Sequence, residues 1–107
     1  MNPQATVAEL LRDRHAELAL YIVIMVNTPR FEAIASVQGQ ELFRQHLLYW
    51  WRLEESGNLF AAGPVEVGTP RQEGFAILMA NSLTHAIELA TAEPFHAAGW
   101  RHNSVRG

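Results

Sequence analysis

The sequence contains no cysteine and no lysine. Without a thiol there is no disulfide staple, no cysteine nucleophile and no thiolate metal site. All eight basic residues are arginines, a composition bias without functional content. Positive charge is scarce as well: the formal net charge is -3, so the chain offers no basic surface to a phosphate backbone and nucleic-acid binding is not expected. Long apolar runs are also missing. The longest, LALYIVIMV from Leu18 to Val26, is roughly half the ~20 residues that a membrane-spanning helix needs and predicts a buried strand. The opening MNPQATVAELLRDRH carries acidic residues and lacks the basic-then-apolar pattern of a signal or transit peptide. A cytoplasmic protein with no membrane partner is the default expectation.

What is present is apolar and globular. Of 107 residues, 49% are hydrophobic and 18% charged, enough for one domain around one core and too little for two. Val7, Leu10, Leu11 and Leu18 recur at roughly helical spacing, which predicts an amphipathic N-terminal helix within Ala5 to Ala19. That divides the chain into an extension, residues 1–19, and a domain, residues 20–107. Leu20 to Val26 is rich in β-branched and aromatic residues without polar alternation, so the first strand should be covered on both faces. NTPRF breaks it into a loop. From about Gln38 to Ser56, Leu42, Phe43, Leu47, Trp50 and Leu53 fall on one side of a helix, and Gly57 suits its left-handed cap. NLFAAGPVEV, the turn VGTPRQEG and FAILMAN read as a hairpin. Ser82 caps a second helix with Leu83, Ala86, Ile87 and Ala90 on its apolar side. Glu93, before a proline, ends it. Trp100 to Arg106 is a short last strand.

The order strand, helix, strand, strand, helix, strand predicts an α+β, ferredoxin-like βαββαβ fold with both helices on one face of an antiparallel sheet. The other face then needs a cover. A second copy of the chain supplies one, giving a sheet-to-sheet homodimer; the N-terminal helix folded back across the sheet is the competing cover.

Few residues carry chemistry. His46 falls inside the apolar stripe of the first long helix, and Glu93 sits in the nearly nonpolar stretch ATAEPFHAAGW. Each alone has a structural explanation, a satisfied core histidine or a solvated helix end. The fold places their helices side by side, so a carboxylate could orient the imidazole for proton transfer near neutral pH. His96 and His102 suggest a metal site with this pair, but no two-histidine spacing matches a helix-face pair or a finger, and no metal is expected. His15 and His85 fall at polar positions. Arg30, beside a proline, and Arg71, in the hairpin turn, could each hold an anionic substrate or be merely solvated. Leu48 and Trp51 lie on the polar side of the long helix.

His46, the passage EESGNLFAAGPV and the segment SLTHAIELATAEPFHAAG together resemble the YCII-related (YciI-like) family of the dimeric α/β-barrel superfamily, over about Leu20 to Arg106. Phe95, Gly99 and Gly63-Pro64 match the family pattern. The resemblance implies a ferredoxin-like fold that dimerises through its sheets, with an active site made by the helix histidine, here His46, and an aspartate before proline, here replaced by Glu93. Glutamate keeps the charge and moves it by roughly one C–C bond, about 1.5 Å. A dehydrochlorinase of a chlorinated hydroxyquinone and muconolactone isomerases are among the relatives. The implied chemistry is that of a cofactor-independent lyase or isomerase acting on a small, cyclic, oxygenated molecule, with Arg30, Trp50, Pro64 and Phe95 as candidate binding residues. A ligand-binding module without turnover and a purely structural dimer are the alternatives.

Overall fold

The computed structural model describes residues 3–12, 18–64 and 74–107. A short helix, α1 (Val7–Arg12), precedes β1 (Ala19–Asn27); α2 (Val37–Glu55), β2 (Leu59–Pro64), β3 (Gly74–Ala80), α3 (Leu83–Thr91), a one-turn helix α4 (Pro94–Ala97) and β4 (Arg101–Arg106) follow. The four strands form one antiparallel sheet in the order β2-β3-β1-β4. With α2 and α3 packed on one of its faces, this is the ferredoxin-like α+β architecture that the order of elements predicts. No helix among the described residues is long and apolar enough to cross a membrane.

Alternation along the central strands decides which side chains meet the helices. Val23 and Met25 of β1 pair with Val105 and Asn103 of β4, and Val23 also pairs with Ala76 of β3. Those residues point at the helices, where Val23, Met25, Trp50, Leu53, Leu59, Ala76, Leu78 and Ala90 form the core. Leu20, Ile22 and Ile24 pair with Met79, Ile77 and Phe75 and occupy the opposite face. Leu20 and Ile22 are 58% and 45% exposed, so the described residues leave this second face partly open.

Several elements depart from the sequence reading. Asn27 is followed by a 3-10 helix over Pro29–Ala35 and not by an open loop. Proline at its first turn has the φ a helix start requires and no N–H to leave unsatisfied. The long helix begins at Val37, because Ser36 accepts the amide of Gly39 at 3.0 Å, and the chain leaves it through Gly57 at φ +83°. Its buried stripe is narrower than expected: His46, Trp50 and Leu53 face the sheet, while Phe43 and Leu47 are exposed at its margin. In α3 the buried residues are Ala86 and Ala90; Leu83 and Ile87 flank them in solvent. Two small residues let the α3 backbone approach the sheet closely, which leaves the bulkier ones at the sides. The predicted hairpin turn as far as residue 73, with Arg71, and His15 fall outside the described residues; Gly74, expected to close the turn, opens β3.

Candidate active site

His46 is held by its helix. Inward on α2 and one turn before Trp50, it is buried with its ring against the Phe95 ring at 4.6 Å, and the Trp50 ring stands edge-on at 6.1 Å. Phe43 lies 6.0 Å away on the solvent side.

Glu93 reaches the same place from the far side of the helix layer. It does not end α3, which stops at Thr91; it caps the next helix, where Pro94 forces it into extended backbone at φ -61° and ψ 134°. The side chain turns back, and Oε2 accepts the amide of His96 at 2.9 Å. The sequence reading put this carboxylate at a helix C-terminus, where the dipole opposes it. It stands instead at an N-terminus, which favours negative charge. Its other oxygen, Oε1, is hydrogen-bonded to Nδ1 of His46, and the carboxylate is wholly buried.

Burial alone would raise the Glu93 pKa. The hydrogen bond and charge of His46, with the backbone amides of His96 and Phe95, outweigh it and hold the carboxyl below the usual glutamate range. An ionised carboxylate can only accept, so His46 Nδ1 must carry the proton of the shared bond. In the neutral ring Nε2 then keeps its lone pair. Nε2 has no hydrogen-bond partner among the described residues, and the ring retains a little solvent access. A carboxylate-oriented imidazole with an open Nε2 can act as a general base.

Asn103 completes the support, a residue that the sequence did not single out. From the inner face of β4 its Nδ2 donates to the Ala90 carbonyl at 2.9 Å and to Glu93 Oε2 at 3.3 Å. The backbone amide of Asn103 donates to His96 Nδ1 at 3.0 Å. The signal was a polar residue at an inward strand position, which becomes legible only once the register against Met25 is known. Among the described residues two buried polar atoms remain without a partner, Trp50 Nε1 and Asn103 Oδ1.

The remaining candidates separate. Phe95 and Trp50 flank the His46 ring as described. Arg30 is exposed and donates to the Ala98 carbonyl at 3.2 Å, beyond α4. Pro64 is exposed at the end of β2, where it pairs with Gly74. The His96 and His102 rings lie 5.6 Å apart, with His96 Nδ1 already engaged by Asn103. His85 accepts the amide of Asn81 at 3.5 Å in an exposed contact.

Comparison with curated proteins finds no match. Among solved structures the fold is similar to 5-chloro-2-hydroxyhydroquinone dehydrochlorinase (TftG) from Burkholderia phenoliruptrix AC1100, in complex with 2,5-dihydroxybenzoquinone. The TM-score is 0.63 at 20% identity, over 83% of this chain and 92% of that one. The YCII-related domain matches residues 19–106, nearly the whole chain, and the protein therefore belongs to the YCII-related family.

Proposed function

We propose that the protein is a small-molecule lyase or isomerase in which His46 and Glu93 transfer protons on a cyclic, oxygenated substrate. The buried contact of His46 Nδ1 with an ionised Glu93 carries this reading, because it leaves Nε2 as the basic atom. Nε2 takes a proton from a carbon next to a carbonyl, and the C–H electron pair moves to form an enolate. The enolate then expels a leaving group from the neighbouring carbon, which is elimination, or regains the proton at another carbon, which is isomerisation. Glu93 stabilises the imidazolium formed on the way. The similarity to a dehydrochlorinase with a bound dihydroxyquinone supports a substrate of that kind. No resident metal or cofactor enters these steps. The functional unit in this reading is residues 20–107 as a homodimer joined through the open sheet face, with residues 1–19 as an extension.

The test is turnover of a panel of chlorinated hydroquinones and lactones. Activity in the wild type should fall by about 10²–10⁴-fold in His46→Ala, the usual contribution of a general base, and should survive in Glu93→Asp, the family's usual residue. A purely structural reading has one observation in its favour, that Glu93 also caps α4. Binding of the panel without turnover in wild type and His46→Ala alike would replace the catalytic reading with a binding or structural one.

A further inference from the structure

Arg101 is a partly buried cation that forms no ion pair among the described residues. It opens β4 on the helix-facing side, opposite Asn27, and its Nε donates to Asn27 Oδ1 at 2.7 Å. The guanidinium carbon lies 4.9 Å from the centre of the Phe31 ring and 5.2 Å from that of Phe95. No carboxylate among the described residues is within ion-pair distance of it, and its Nη groups have no acceptor among them. Beyond β1, at the start of β3, stands Gly74, where even a Cβ would lie 3.7 Å from Nη1, so that position sets no side chain against the guanidinium. Burial weakens its hold on its proton, with the charge of Glu93 opposing that effect.

A charge taken partly out of water is stabilised by a counter-charge, and cation–π contacts at exposed to half-buried sites supply only about 0.5–2 kcal/mol. A guanidinium anchored through Nε and resting on two adjoining rings, whose centres lie 5.3 Å apart, presents its Nη edge in a fixed orientation, the geometry that takes an oxyanion in a bidentate pair. Its position relative to the catalytic pair is set by Phe95, which touches the His46 ring and lies under Arg101. The two contacts place the guanidinium at most about 10 Å from the His46 ring.

We infer that Arg101 is the anion-binding residue of the His46 and Glu93 site, and that its ligands are small planar molecules with an ionised oxygen, a carboxylate or a phenolate. This rests on the reading of that pair as the functional site and adds the charge of its ligand. An oxyanion on Arg101 sets the orientation of the ring whose C–H faces Nε2.

The test compares benzoate with benzamide, equal in shape and different in charge, by calorimetric titration of the full chain. Wild type should bind benzoate about 10–100-fold tighter than benzamide, as expected for a charge-assisted bidentate pair. Arg101→Met should bring the ratio to about one while keeping the circular dichroism of the wild type, which shows that the chain remains folded, and Arg101→Lys should restore part of the preference. Benzoate should also shift the NMR signals of the His46 ring. A wild-type ratio near one, a ratio that survives Arg101→Met, or unmoved His46 signals would overturn the inference. The readout contains no turnover: an Arg101-dependent ratio in a protein that converts none of the substrate panel leaves this inference standing and removes the lyase reading, and turnover without the ratio does the reverse.

Discussion

Glu93 accepts with both oxygens, and this makes one substitution informative. Glu93→Gln keeps the length of the side chain and sets an NH2 against either the His46 Nδ1–H or the donors on the other side, His96 and Asn103. Loss of a buried charge-assisted hydrogen bond should lower stability at pH 7 by about 1–3 kcal/mol, measured by urea unfolding. The pH dependence has a definite sign. Because the folded-state pKa of Glu93 is held down, the unfolded chain binds the proton first as the pH falls. The stability tied to the carboxylate is therefore complete above the ordinary glutamate value of about 4.3 and disappears as the pH drops through the lower, folded value. The stability gap between wild type and Glu93→Gln should narrow as the pH falls below about 4.3. A gap that is the same at pH 3 and pH 7 would show that the fold does not depend on the ionised form. The two residues were legible as chemistry, a histidine on an apolar stripe and a carboxylate before proline. Their contact was not, because 47 positions separate them in sequence.

The elements around the pair are fitted to one another at their ends. Gly39, in the first turn of α2, lies against the preceding 3-10 helix so closely that a Cβ would stand 2.4 Å from the Ala33 carbonyl oxygen and 2.5 Å from that of Ile34. Alanine normally stabilises a helix interior over glycine by about 1 kcal/mol. Here the obstructing atoms are backbone and cannot rotate away, and overpacking of this kind costs about 1–3 kcal/mol. Gly39→Ala should therefore lower the melting temperature by a few degrees in a thermal unfolding scan; a rise would show that the two helices are free to separate. Caps set by local chemistry were readable in the sequence: Ser82 accepts the amide of His85 at 3.1 Å, and Gly57 has the left-handed φ expected of it. The 3-10 helix after Asn27 and the single turn of α4 were not, since a short helix is decided by what it packs against more than by its composition.

At the scale of the whole molecule the unpaired feature is the outer face of the sheet. Leu20, Ile22, Ile24, Phe75, Ile77 and Met79 form its apolar middle, and Arg106, Ser104 and His102 border it on β4. Fully burying one large aliphatic side chain contributes about 1.5–3 kcal/mol, so a second copy laid across this face has a strong driving force. The alternation that sequence could not assign gives the experiment its control: Ile22 points outward and Val23 is wholly buried against the helices. Ile22→Arg should yield a folded monomer by light scattering, with the circular dichroism of the wild type, whereas Val23→Arg should not fold. A wild type that already scatters as a 12.0 kDa particle at micromolar concentration would remove the dimer.

The sequence by itself determined the fold class, through hydrophobic periodicity and turn residues whose effects act over a few neighbouring positions. It also determined which two side chains were chemically out of place, because an ionisable residue among apolar neighbours is visible without coordinates. Only the tertiary structure decided that Glu93 caps a helix and does not end one, that Asn103 holds it from β4, that Arg101 stacks on Phe95, and which parity of β1 faces outward. Each of these depends on strand register or on contact between elements far apart in the chain, and a one-residue shift in register would exchange the two faces of the sheet while leaving local composition unchanged.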